Sequence, residues 1–247
     1  MRLQVFLSHS RICSRRRALV LVQEGHVRVN ATIVREPSYD VDAEKDEVFL
    51  DTTRIGLKEK SYLMLHKPAG FVTTLEDSHA RHIVIDLLPS AYRHLYPVGR
   101  LDKDSEGLLL FTNDGELTHR LLHPSFKVDK VYLVEINGCI DKESILRLEH
   151  GLLIDGRRTQ PAKVELVYAR PKQSRFTMTI HEGRKRQIRL MLAAIGYKVS
   201  RLKRVQYGPL RLGELSQGKW RLLSAQEIKH LKDICGIKNS VTVLKEG

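Results

Sequence analysis

Apolar positions along this chain switch between two periods. Val27, Val29, Ala31 and Ile33 alternate with polar neighbours around Asn30, the period-two signature of a short hairpin, and Glu47 to Asp51 reads as a further strand. Upstream, Ser14 is placed to cap a helix over Arg15 to Glu24, with Gly25 as its stop. Beyond an acidic, glycine-poor stretch, Tyr62 to Leu65 is a strand ended by His66-Lys67-Pro68-Ala69-Gly70, and Phe71 to Thr74 resumes extended structure. Leu108 to Thr112 is an apolar strand, and Glu116 to Leu122 is a short helix ended before Pro124. In Lys130 to Ile136, Tyr132, Val134 and Ile136 share one face of a strand; Lys163 to Tyr168 and Phe176 to Glu182 alternate in the same way. Helices are expected over Asp141 to His150 and over Lys185 to Ile195. Ser224 and Glu227 make a capping-box pattern for a last helix ending near Gly236. Strands and helices mix without a regular strand–helix–strand rhythm. The expected class is therefore α+β, with a mainly antiparallel mixed sheet flanked by helices. The expected divisions are a small module at 1–58, a larger domain at 60–235 and a loosely held tail at 236–247.

Charge changes this picture from fold to partner. The 247 residues carry 42 Lys and Arg against 29 Asp and Glu, a formal charge of +13, which points to a polyanion, nucleic acid first. The charge is zoned. Residues 1–35 hold seven Arg against Glu24, residues 36–51 hold seven acids against Lys45, and residues 181–221 hold eleven Lys or Arg against Glu182 and Glu214. Solvated helix faces would scatter both signs, whereas two basic zones suit RNA contact. No apolar run approaches the ~18 residues of a spanning helix, and the N-terminus lacks a long apolar core of the signal-peptide type, so no membrane partner is expected. Cys13, Cys139 and Cys235 are odd in number and far apart. They offer neither a disulfide framework nor metal-binding spacing, which suits a cytoplasmic location.

The sharpest chemical content lies in Gly99-Arg100-Leu101-Asp102, which precedes the Leu108 to Phe111 run and the Asn113-Asp114-Gly115 turn. An aspartate in a polar turn at a strand entrance is an anion at neutral pH and needs no base to act as a nucleophile. Taken alone, an aspartate before an apolar run is more often a turn or cap residue, and Asp102 fits that reading too. His181 to Arg189 joins a strand to a helix and sets Arg184, Lys185 and Arg186 at the expected helix start, against the dipole. Arg186 and Arg189 are three apart and Lys185 and Arg189 four apart, so they line one flank, fit for phosphate or for a buried carboxylate. Arg189, next to apolar Ile188 and deeper in the helix, is the expected partner of Asp102. Near the N-terminus, Arg15, Arg16 and Arg17 also oppose a helix dipole, a cost that a bound phosphate would reverse.

Residues 1–58 resemble the ribosomal-protein-S4-like RNA-binding domain, through Arg2-Leu3, Ser14-Arg15-Arg16 and Gly25 to Asn30. Leu19 departs from that pattern, which usually carries an acid there. Nearly the whole chain resembles the RsuA-type rRNA pseudouridine synthases. The matching segments are His66 to Gly70, Gly99 to Gly115, Lys130-Val131-Tyr132, Glu182 to Arg189, Val199 to Arg204 and Gly218 to Arg221. Ser105 stands where threonine is common in that family and keeps the hydroxyl. The resemblance implies that Asp102 is the nucleophile that lets uracil detach, rotate and rejoin through carbon. It also implies that Tyr132 stacks on the flipped base and helps handle the C5 proton, that Arg189 pairs with Asp102, and that Leu202 walls the base pocket. Arg100 would hold or replace the extruded nucleotide, while Lys67 and Arg184 would support the loop or touch phosphate. RNA contact would fall to Arg15, Arg16, Arg17 and Arg28 in the first module and to Lys185, Arg186 and Arg204 in the second. The implied protein is a monomer acting on ribosomal RNA, as a folded segment or a pre-ribosomal particle, with no cofactor and no metal. The Tyr96 to Gly99 lead-in and the Thr73 to Pro89 stretch look more like the large-subunit (23S) enzymes. A small-subunit (16S) target, a non-catalytic rRNA-binding or assembly protein of the same fold, and a phosphoryl-transfer enzyme with an aspartate nucleophile stay open at this point.

Overall fold

The computed structural model describes residues 1–10, 12–57, 59–75 and 81–237. The expected tail, apart from Gly236 and Ile237, and part of the Thr73 to Pro89 stretch lie outside the described residues. The chain divides into two compact units, Met1–Ser61 and Tyr62–Gly247.

The first unit opens with α1 (Leu3–His9) and α2 (Arg15–Glu24), followed by β1 (Val27–Val29), β2 (Thr32–Ile33), β3 (Val48–Leu50) and β4 (Thr53–Ile55). The strands form an antiparallel sheet in the order β2-β1-β3-β4. The ends of α2 are set by local chemistry. Ser14 Oγ accepts from Arg17 N at 3.3 Å, and Gly25 closes the helix at φ 85°, a left-handed conformation that glycine adopts without strain. Leu3, Phe6 and Leu7 of α1 pack with Ala18 and Val22 of α2 and with Val27, Val29 and Val48 of the sheet.

The second unit contains β5 (Tyr62–Lys67), β6 (Tyr96–Pro97), β7 (Glu106–Thr112), α3 (Gly115–Leu122), β8 (Lys130–Asn137), α4 (Lys142–Glu149), β9 (Leu153–Ile154), β10 (Arg157–Arg158), β11 (Lys163–Arg170), β12 (Gln173–Ile180), α5 (Gln187–Ala194), β13 (Val199–Tyr207), β14 (Leu210–Arg211), β15 (Trp220–Leu222) and α6 (Ala225–Ile234). The main sheet runs β11-β12-β8-β13-β7-β5-β15, and β13–β7 is its one parallel pair among the described strands. Alternation along each strand sends side chains to two cores. Leu63, Leu65, Leu109, Phe111 and Val134 pack with α4 and α5; Tyr62, Met64, Leu108 and Leu110 pack with α3 and α6. Every residue of β7 is buried, as suits a strand covered on both faces. Its approach to β13 depends on Gly107. At φ +110°, a Cβ on this residue would lie 2.2 Å from Arg204 O. The expected capping box is present at Ser224 and Glu227, and Glu227 also pairs with Arg221 at 2.7 Å.

Candidate active site

Asp102 sits in the turn between β6 and β7, and the backbone around it is held from two sides. Thr73 Oγ1 donates to Leu101 O at 2.7 Å and accepts from Leu101 N at 3.2 Å. Gly70 N donates to Lys103 O at 2.7 Å, and Ser105 N donates to Asp102 O at 3.0 Å. From the core side, the fully buried Lys67 donates Nζ to Ser105 O at 2.7 Å, Pro68 O at 3.0 Å, Asp102 O at 3.1 Å and, at 3.5 Å, Lys103 O. Lys67 therefore supports the loop, and its burial keeps it from phosphate. That burial pulls its ammonium down to about 8, against the opposing pull of Asp102, Asp104 and Glu106. The loop is pinned by its main chain, while the Asp102 carboxylate is partly buried and makes no hydrogen bond or ion pair among the described residues.

The carboxylate lines a cleft of about 440 Å³, within the range of small-molecule sites. Tyr132 from β8 and Leu202 from β13 form its apolar wall, with Ile188 from α5. Tyr132 and Leu202 are core residues that also face the cleft, so the core and pocket readings of these two positions coexist. Arg100 is exposed at the rim. Asp102 is the one carboxylate among the described lining residues, set among cations that include Arg100, Lys130, Arg186 and Arg204. Among the described residues no group of three or more His, Cys, Asp or Glu side chains is placed to hold a metal ion.

Three expectations need correcting. Arg189 does not pair with Asp102. Its Nε lies 3.3 Å from Asp104 Oδ2 and its Nη2 donates to Asp104 O at 2.9 Å. The cause lies in the helix start. Arg186 is left-handed at φ 54° and α5 begins only at Gln187, so Arg184, Lys185 and Arg186 precede the helix instead of forming its first turn. Arg186 and Arg189 then converge on Asp104, which Arg186 grips with both Nη atoms at 3.1 Å. Burial works to raise the Asp104 carboxyl, but the Arg186 hydrogen bonds and the charges of Arg189 and Arg186 hold it below the usual carboxylate range. Second, Arg184 is tied to the β9–β10 hairpin, donating to Arg157 O at 3.0 Å and to Arg158 O, and to Glu182 at 3.1 Å. It braces a wall of the same cleft that Asp102 lines, through the hairpin and not through the Asp102 loop's backbone. Third, Arg204 is 3 % exposed and cannot serve as a surface RNA contact, whereas Lys185 and Arg186 are exposed.

The residues that sequence reasoning missed are Thr73, Asp104, Lys130 and Tyr207. Lys130 had a readable signal: it shares the buried face of β8 with Tyr132, an unusual place for a lysine. In the first unit, Arg15, Arg16 and Arg17 are exposed in the first turn of α2 with no ion pair among the described residues. Arg28 lies 4.0 Å over the Phe49 ring and donates to Asn30 O.

The family model described as RNA pseudouridylate synthase matches residues 61–194, and the S4 domain model matches residues 1–48. The chain belongs to the RNA pseudouridine synthase family and carries an N-terminal S4 domain. It is 39% identical over 233 residues to the ribosomal large subunit pseudouridine synthase B of Bacillus subtilis, covering 94% of this chain and 95% of that protein. It is also 39% identical over 238 residues to an uncharacterized RNA pseudouridine synthase of Aquifex aeolicus, covering 96% of each. A solved pseudouridylate synthase structure superposes with a TM-score of 0.68 at 30% identity, covering 94% of this chain and 99% of that one.

Proposed function

We propose that this enzyme converts a uridine of large-subunit (23S) ribosomal RNA to pseudouridine, with Asp102 as the nucleophile. The carrying observation is the lone carboxylate among the cleft's described lining residues: Asp102 is free at its side chain, while Lys67 holds its carbonyl and Thr73 holds the neighbouring Leu101 backbone. The likeness to a relative named for the ribosomal large subunit supports the target. A base inside a helix hides its reactive carbon, so the uridine enters the cleft flipped out. Tyr132 offers a stacking surface, an interaction of ~1–3 kcal/mol per base, and Leu202 adds to the same apolar wall. Asp102 bonds to C1′ as the C1′–N1 bond breaks and its electron pair leaves with the base; the base turns over, and C5 bonds to C1′ as the carboxylate departs with its own pair. The C5 proton is lost and N1 gains one, so the product is an isomer of the substrate. Arg100 at the rim holds or replaces the extruded nucleotide, and the exposed arginines of α2 add phosphate contacts outside the cleft.

Unmodified 23S and 16S transcripts incubated separately with the full chain, then mapped for pseudouridine, test the target. Modification at one or a few positions of 23S is expected. Modification confined to 16S would overturn the large-subunit assignment, and binding without modification of either would overturn the ribosomal one.

A further inference from the structure

The cleft floor contains two buried cations that the nucleophile scheme does not use. Lys130 is 9 % exposed and Arg204 3 % exposed. They flank the Tyr207 ring, with Lys130 Nζ 5.4 Å and Arg204 Cζ 5.0 Å from its centroid. Arg204 is also the strand partner of Tyr132, at a point where β13 bulges immediately afterwards. Lys130 spends Nζ on two carbonyls, Val128 O at 3.2 Å and His181 O at 3.0 Å. Arg204 spends only Nε, on Leu108 O at 2.8 Å, and its buried Nη2 has no hydrogen-bond partner. No carboxylate pairs with either side chain among the described residues; Asp129, the nearest candidate in sequence, is turned to His181 at 2.6 Å. A buried guanidinium with an idle donor is costly and is expected where a ligand supplies the acceptor.

We propose that the Arg204 guanidinium donates to a carbonyl oxygen of the flipped uracil, and that this contact serves both halves of the isomerisation and selects uracil over cytosine. The proposal rests on the uridine-isomerising reading above. Turning uracil by a half-turn about its N3–C6 axis exchanges N1 with C5, and in the same motion exchanges O2 with O4. A donor fixed in the cleft wall therefore meets a carbonyl oxygen before and after the turn. When C1′–N1 breaks, its electron pair leaves with the base and spreads over N1, O2 and O4, where a buried cation stabilises it most. When C5 attacks, that pair forms the C1′–C5 bond, and the contact loosens as the charge is lost. Cytosine carries an amino group in place of O4. The half-turn would then set N–H against N–H beside a buried guanidinium.

The test uses full-length wild type, Arg204→Met and Arg204→Lys on the 23S and 16S transcripts, made with ordinary UTP, 2-thio-UTP or 4-thio-UTP. Single-turnover conversion, filter-binding affinity across salt concentrations and thermal melting are measured. Arg204→Met is expected to convert ~10²-fold more slowly, in line with removal of one charge-stabilising donor, with affinity and salt slope unchanged. Arg204→Lys recovers part of the rate. The distinguishing readout is the thio penalty: wild type slows on at least one thio transcript, and Arg204→Met loses that extra slowing. An equal thio penalty in both proteins overturns the contact, even if Arg204→Met melts early. A salt slope reduced by about one unit would reassign Arg204 to a phosphate and also overturn it. No conversion by the wild type on either transcript overturns the underlying reading, and this proposal with it.

Discussion

Replacing Lys67 by methionine tests how the reactive loop is held. Methionine keeps the length and bulk of the side chain but removes Nζ and its three contacts of 3.1 Å or less, to Ser105 O, Pro68 O and Asp102 O. Hydrogen bonds from a charged donor contribute about 1.5–3 kcal/mol each, so the gross loss is roughly 5–9 kcal/mol. Against this, burying the ammonium carries a cost. Its pKa falls from 10.5 to about 8, which corresponds to on the order of 3 kcal/mol that the substitution returns. The net loss is about 2–6 kcal/mol, a drop of at least about 4 °C in Tm for a unit of this size. Asp102 O and Lys103 O keep their donors Ser105 N and Gly70 N, so the turn survives in outline but slackens. A displacement of about 1 Å at a reacting group costs ~10² in rate. Single-turnover conversion of uridine by Lys67→Met is therefore expected to fall about 100-fold at unchanged RNA affinity, with the Tm shift recorded in parallel. Conversion within threefold of wild type at an unchanged Tm would refute the role assigned to the lysine.

Other outcomes follow from the same geometry. Gly107→Ala sets a methyl 2.2 Å from Arg204 O and 2.6 Å from Arg204 N, and urea unfolding is expected to show a loss of more than about 2 kcal/mol. Lys130 is held down to about 8 by burial and then by Arg204, so between about pH 8 and 10.5 the unfolded chain binds the extra proton. The wild type should therefore gain stability relative to Lys130→Met as pH rises through that window; a relative loss would contradict the assignment. Arg15→Gln and Arg16→Gln together are expected to weaken RNA binding and flatten its salt dependence by about one unit per lost phosphate contact, leaving the rate at saturating RNA unchanged.

The legible parts of the fold are those whose ends carry their own chemistry. α2 runs from Arg15 to Glu24 as expected, because Ser14 and Gly25 mark both ends without help from the rest of the chain. α1 escaped notice although Leu3, Phe6 and Leu7 follow helical spacing, since seven residues with no side-chain cap leave little local signal. β13 was hidden by Arg201, Lys203 and Arg204, which blur its alternation, and its burial depends on the close approach of Gly107 from a distant strand. The Asp102 turn was readable because one carboxylate stands before a run of apolar residues. Which carboxylate Arg189 would meet was not. Asp102 and Asp104 share one turn, and the choice follows from the left-handed Arg186 that delays the start of α5. Basic residues were likewise assigned to RNA by charge alone, and only packing separates the exposed Arg186 from the buried Arg204.

The most direct test of Asp102 is single-turnover conversion of uridine by Asp102→Asn on the RNA that the wild type modifies. The substitution keeps size and backbone contacts, so RNA affinity and Tm are expected to match the wild type while pseudouridine formation is abolished. Conversion at the wild-type rate would show that this carboxylate is not the nucleophile.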